Sequence, residues 1–354
     1  MAGTPNSRII REDIEQLAAS LSNVKDKFED KTFLITGAGG FLGNYFVLLI
    51  KYLNENILEV PARGIFLDNF ITGYKREMTS DEHVKFIGHN VIEPFHTEEK
   101  IDYIIHAAGI ASPLYYTKFP IETMDVTTIG TRNMLELAKE KKVDGFVFTS
   151  SSEVYGDPDP SHIPTPETYN GNVSITGPRA CYDESKRFAE ILCTVFAKEH
   201  DVPVKIVRYF NVYGPGMRLN DYRVLPNFIE NGLKKKPLEV HGNGKNTRSY
   251  CYINDAILGT LKVLFSSYKE GTPFNIGNPF PEVSVEDLAK HVAELIDDHV
   301  EIQYVTPPHE VYGETDPKRR CPDISKITSA LDFNPSHTLH DGLSRTINWY
   351  KEVI

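Results

Sequence analysis

The 354-residue chain carries 38 Lys and Arg against 49 Asp and Glu, a formal net charge of −11, with 40% hydrophobic and 25% charged residues. That describes a soluble globular protein with ample core for one large or two moderate domains. The acidic balance argues against nucleic acid as the main partner, because phosphate selects a basic face, yet it permits an anionic small molecule held by a local group of cations.

Cys181, Cys193, Cys251 and Cys321 show no CxxC spacing. This predicts a reduced, cytoplasmic chain with neither a disulfide framework nor a metal site. The opening "MAGTPNSRII" lacks the apolar core of a signal peptide, and runs such as "FVLLI" (residues 46–50) are far too short to span a membrane.

Residues 8–28 read as an amphipathic helix: Ile10, Ile14, Leu17, Leu21 and Val24 recur at helical spacing, and Ser7 is placed to cap it. The segment 1–30 is expected to be an appendage, packed on the surface or on a partner subunit and without chemistry of its own. From Lys31 the texture changes. "KTFLITG" reads as a short buried strand, "FLGNYFVLLIKYL" as a helix and "GIFLDN" as a second strand. Further strands are predicted at 84–88, 101–109, 145–150 and 204–212, with helices at 128–142 and 181–200 among them. Continuous apolar strands alternating with helices predict an α/β fold with a doubly wound parallel sheet covered on both faces. Beyond Tyr213, Gly and Pro punctuate mixed elements in "HGNGKNTRS", "NPFPEVS", "TPPHE" and "FNPSHT". The expected boundaries are 31–212 for the main domain, with 251–275 returning to it, and 213–250 plus 276–354 for a smaller α+β cap.

"TGAGGFLG" sets Gly37, Gly40 and Gly43 in a GxxGxxG pattern between a strand and a helix. Such a loop lets the backbone approach a pyrophosphate at the positive helix N-terminus, as in a Rossmann-type dinucleotide site. The second strand ends in Asp68, which can hold the adenosine ribose hydroxyls and would repel a 2′-phosphate, so NAD is favoured over NADP. The predicted cofactor set is Gly37, Gly40, Phe41, Leu42, Gly43, Asp68 and Asn69, with Ala107 and Ala108 from "HAAGIAS" and, further on, Tyr182 and Lys186.

"FVFTSSSEVYG" (residues 146–156) opens from a strand into three serines and Glu153, and "GPRACYDESKRFAE" follows about thirty residues later. There Tyr182 and Lys186 stand four apart on one helix face. A lysine ammonium beside a phenol favours the phenolate and makes Tyr182 a usable base near neutral pH.

With these motifs together, the chain from Lys31 onward resembles the extended short-chain dehydrogenase/reductases, the group of NAD-dependent sugar-nucleotide epimerases, dehydratases and decarboxylases. "DNFITG", "SSSEVYGDP", "TGPRACYDESKR", "LNDYRVLPNFI", "GNGKNTRSYCYINDA" and "RRCPDI" carry the resemblance, most strongly to the branch that decarboxylates UDP-glucuronate to UDP-xylose. It implies a redox triad of Tyr182, Lys186 and Ser151, with Ser151 where threonine is usual. Dehydratases have an Asp-Glu pair at Ser152 and Glu153, and simple 4-epimerases usually lack the glutamate; Ser-Glu is the decarboxylase pattern. By the same resemblance Glu153 assists proton delivery, directly or through water, and Arg320 serves the substrate carboxylate or acid chemistry. Tyr116 is then a substrate-side tyrosine, and Asn211, Arg223, Asn246 and Arg248 are nucleotide contacts. The chain departs from the pattern at Gly216, which lacks an arginine, and at His241, Thr127 and Asn90. A non-decarboxylating uronate 4-epimerase and a catalytically silent nucleotide sensor are the alternatives. The resemblance also implies a homodimer through the helices at 128–142 and 181–200.

Overall fold

The computed structural model describes residues 7–73, 80–219, 223–297, 299–306 and 317–354; parts of "LNDYRVLPNFI" and "TPPHE" lie outside them. In chain order the first half contains α1 (Arg8–Ser20), β1 (Thr32–Thr36), α2 (Phe41–Asn56), β2 (Arg63–Asp68), β3 (Val84–Gly88), β4 (Tyr103–His106), α3 (Pro113–Lys118), α4 (Pro120–Lys141), β5 (Gly145–Ser151) and α5 (Ala180–His200). The second half contains β6 (Val204–Tyr209), β7 (Val212–Tyr213), α6 (Val224–Leu233), β8 (Leu238–His241), β9 (Thr247–Ser249), β10 (Cys251–Tyr252), α7 (Ile253–Leu264) and β11 (Glu270–Ile276). It closes with β12 (Glu282–Ser284), α8 (Val285–Ile296), β13 (Ile302–Val305), β14 (Arg319–Arg320), α9 (Ser325–Leu331) and α10 (Leu339–Val353).

Seven strands form one parallel sheet in the order β11-β6-β5-β4-β1-β2-β3. Every residue of β1 and β4 is buried, because helices cover both faces. Strand order reverses beside β1, so the ends of β1 and β4 open a crevice where a dinucleotide can lie.

The strand predicted at 101–109 is confined to Tyr103–His106 and the helix predicted over 8–28 ends at Ser20; two further boundaries move for local reasons. The strand predicted over 204–212 stops at Tyr209, since Asn211 adopts a left-handed φ of 41°, and β7 pairs with β10 instead. The helix predicted from residue 128 begins at Pro120, whose ring suits a first helical position.

The N-terminal helix is not an appendage. Ile10, Ile14 and Leu17 join the main core, and α1 lies against α2, α7 and α10. Nor does the Ser7 side chain cap it; that hydroxyl donates to Glu352 at 2.9 Å. Asp13 is fully buried, bound to Arg345 at 2.7 Å and accepting from Tyr45 at 3.0 Å and Tyr252 at 2.8 Å. Replacing Asp13 by alanine strands an arginine and two phenols. Urea unfolding should then show a loss of about 3–5 kcal/mol.

Beyond β7, a small three-stranded sheet, β12-β9-β14, sets Arg248 and Arg320 in register on neighbouring strands. That pairing brings chain far from the glycine loop over the carboxyl ends of β5 and β6.

Candidate active site

The glycine loop is built around close approach. Gly37 has φ 68°, and a Cβ there would stand 2.7 Å from the Ala107 carbonyl oxygen. Gly43 acts differently from the expectation: it lines neither cavity described below, and a Cβ on it would meet the Gly37 carbonyl oxygen at 2.1 Å. It lets α2 close on the loop rather than exposing backbone to a ligand. Asp68 accepts the Gly39 N–H at 2.8 Å and the Phe70 N–H at 2.6 Å. Burial raises its carboxyl, against those two N–H groups and the charge of Arg218.

A cavity of about 100 Å³ lies over this loop, lined by Gly37, Gly40, Asp68, Asn69, Ala107 and Ala108, with Asn90 beside them. Ala107 also lines a larger cavity of about 560 Å³ that takes in Phe41 and Leu42. His106 fastens the floor between them: its ring meets Thr36 at 2.7 Å and Thr131 at 3.1 Å, and Thr36 accepts from the Ala108 N–H. Burial, then the charge of Lys186, hold that imidazole neutral, down to about 3.

The larger cavity gathers Ser151, Glu153, Tyr182, Lys186 and Arg320 together with Tyr116, Asn211, Arg223, Asn246 and Arg248. Tyr182 is buried, bonded to the Ser151 hydroxyl and stacked on Tyr116 with centroids 5.5 Å apart. Lys186 donates to the Thr149 carbonyl at 2.7 Å, its ammonium 5.9 Å from the Tyr182 ring centre. The expected lowering of the phenol is absent. Burial pushes Tyr182 up to about 12, against the Ser151 bond, and pushes Lys186 down to about 8, so at the phenol burial outweighs the neighbouring cations.

Glu153 also differs from one expected part, direct proton delivery. One oxygen meets Arg179 at 2.5 Å and the other meets Arg320 at 2.6 Å. Burial opposes its ionisation, but Arg179, Arg320 and Arg248 outweigh it and hold the carboxyl below its ordinary value. An ionised glutamate clamped by two guanidiniums is unsuited to direct donation, which leaves the expected route through water.

Arg179 and Asp183 were missed as site residues, although both stand in "GPRACYDESKR". Their i,i+4 spacing around Tyr182 was the available signal. Arg179 Nε stands 3.8 Å from Asp183 Oδ2. Gly216, marked as lacking an arginine, sits at φ 93°, which side chains rarely adopt. Arg218 instead donates to the Gly73 carbonyl at 2.7 Å and reaches Tyr115 at 3.4 Å.

Residues 33–277 match the model of the NAD dependent epimerase/dehydratase family. The chain belongs to that family. Its relatives include UDP-glucuronic acid decarboxylase 1 of Xenopus tropicalis, 37% identical across 98% of this chain and 79% of that protein. UDP-glucuronic acid decarboxylase 6 of Arabidopsis thaliana is 39% identical across 92% and 91%. Among solved structures, UDP-glucuronic acid 4-epimerase from Bacillus cereus, in complex with UDP-glucuronic acid and NAD, superposes with a TM-score of 0.76 at 26% identity, covering 91% of this chain and all of that one. UDP-glucose 4-epimerase from Thermotoga maritima gives 0.78 at 24% identity, 91% and 99% covered, a likeness of fold. The cradle fits the family's cofactor: bare glycine backbone at a helix N-terminus, and an acidic Asp68 at the end of β2.

Proposed function

We propose that this chain decarboxylates UDP-glucuronate to UDP-xylose, using NAD that is restored in each turnover. The observation that carries the reading is the pair Arg179 and Arg320 braced on Glu153 beside Ser151, Tyr182 and Lys186, in one cavity. The relatives named UDP-glucuronic acid decarboxylase, at 37–39% identity over most of the chain, support it.

In this reading the Tyr182 phenolate takes the proton of the sugar 4-hydroxyl, with Ser151 donating to the same oxygen. Bound NAD supplies hydride acceptance at C4 and its later return. Lys186 stabilises the phenolate from beneath, tethered to Thr149. The 4-keto uronate is a β-keto acid, so the electrons of its carboxyl bond move into the ketone as CO₂ leaves. Ser151 and Tyr182 hold the resulting enolate oxygen until C5 gains a proton from solvent, after which hydride return to C4 and the proton held on Tyr182 restore the 4-hydroxyl. Arg179 and Arg320 seat the carboxylate before its loss, and Glu153 keeps those two guanidiniums apart and oriented. Asn211, Arg223 and Asn246 line the same cavity and suit the nucleotide diphosphate, while Arg248 lies in register with Arg320 and acts on Glu153.

The test is product analysis by NMR after incubation with UDP-glucuronate and NAD. UDP-xylose with CO₂ is expected. UDP-galacturonate without CO₂ makes the protein a 4-epimerase, and nucleotide binding without turnover makes it a sensor.

We also propose a homodimer through α4 and α5. These helices pack together and leave Ile121, Ile129, Phe188, Ile191 and Val195 exposed on them. Changing Phe188 and Ile191 together to glutamate should halve the mass seen by light scattering; a wild-type monomer removes the idea. Among the described residues no helix is long and apolar enough to cross a membrane, and all four cysteines are unpaired, which suits the cytosol.

A further inference from the structure

Four charged side chains from three parts of the fold meet at the inner end of the large cavity. Glu153 follows β5, Arg179 and Asp183 sit at the start of α5, and Arg320 comes from β14. Arg179, Asp183 and Arg320 are each only 8% exposed. With both carboxyls ionised these four charges cancel, and Arg248 on β9 adds a positive charge beside Glu153. A uronate seated on Arg179 and Arg320 sets a further anion close to the Asp183 carboxylate where water is scarce, which favours the protonated acid.

We infer that Asp183 is the charge-compensating residue of this site, taking up a proton when a sugar carboxylate docks against Arg179 and Arg320. The inference rests on the uronate reading above. Geometry singles out Asp183. Both Glu153 oxygens are held by guanidiniums at 2.5 and 2.6 Å. Asp183 has only a long contact of 3.8 Å from Oδ2 to Arg179, and its buried Oδ1 has no hydrogen-bond partner among the described residues. It is therefore the carboxylate least secured as an anion.

The surroundings act in the same direction. Burial and then the charge of Glu153 raise the Asp183 carboxyl to about 7, against Arg179 and Arg320, and Glu184 on the same helix adds to the rise. Tyr116 and Tyr182, the phenols facing the cluster, are already held neutral by burial. Arg248 faces it from β9 and acts on Glu153. A further negative charge beside Arg179 pushes Asp183 higher still.

The proton taken up at Asp183 is separate from the one consumed in the reaction. The bond that releases CO₂ leaves its electron pair in the enolate, and that pair becomes the new C5–H bond with a proton drawn from solvent. The Asp183 proton returns to solvent once the carboxylate has left as CO₂. Asp183 is here a positioning residue, since it does not itself line the cavity.

The experiment is titration calorimetry on NAD-loaded Tyr182→Phe, which cannot turn over, in buffers of differing ionisation enthalpy. UDP-glucuronate should draw in about one proton near pH 8 and much less near pH 6, where Asp183 is already protonated. UDP-glucose should draw in none, and Asp183→Asn should abolish the uptake. Equal uptake for the two sugars, or uptake unchanged in Asp183→Asn, overturns the inference. Lys186, brought down to about 8 in the same cavity, is another group able to gain a proton. Uptake that persists in Lys186→Met is therefore expected, and uptake lost there assigns it to Lys186 instead, even if Asp183→Asn does not fold. Binding of UDP-glucose without binding of UDP-glucuronate would instead overturn the uronate reading itself.

Discussion

Replacing Tyr182 with phenylalanine is expected to stop oxidation at C4 while leaving NAD and the sugar nucleotide bound. The substitution removes one oxygen and keeps the ring, so its stacking on Tyr116 and the packing of α5 survive. What goes is the only acceptor positioned against Ser151 in the triad, and with it a loss of about 10²–10⁴-fold in turnover. Single-turnover absorbance of the reduced cofactor checks this directly, and substantial reduction in the variant would remove Tyr182 from the base role. Lys186→Met should fall in the same range. Its ammonium lies 5.9 Å from the Tyr182 ring centre, and burial has already brought it down to about 8.

Glu153→Gln should produce the largest combined effect on stability and activity. It leaves Arg179 and Arg320 facing each other in a buried place with no anion between them, a cost of about 3–5 kcal/mol. The sign of its pH dependence follows from the direction of the shift. Glu153 lies below its ordinary 4.5 in the folded chain, so its stabilisation is complete above that value and is lost as pH falls through the depressed one. Asp183 acts oppositely. Its raised carboxyl takes stability away as pH climbs from 3.8 towards about 7. The variant should therefore unfold more readily at neutral pH yet lose less on acidification, as followed by thermal melts across pH. In activity, displaced arginines no longer seat the sugar carboxylate, so C4 oxidation should continue while CO₂ release falls. A variant as stable as the parent and equally sensitive to acid would show that Glu153 is not the anchor of the pair.

Much of the molecule was legible in short stretches of chain. Continuous apolar strands alternating with helices announced a parallel sheet, because a strand buried on both faces cannot alternate polar and apolar residues. The glycine loop, Asp68, Tyr182 and Lys186 were readable for a similar reason: each depends on spacing within a single turn or helix. Folding alone determined the rest. The Glu153–Arg320 bond spans 167 residues, and it exists because β14 pairs with β9 rather than with any neighbour in the chain. Helix α1 looked detachable from its own amphipathic pattern, yet Asp13 is bound by Arg345, 332 residues away. The character of Glu153 was likewise invisible in "SSSEVYG". A carboxyl's protonation is decided by what surrounds it in space, and here three guanidiniums from other segments outweigh burial.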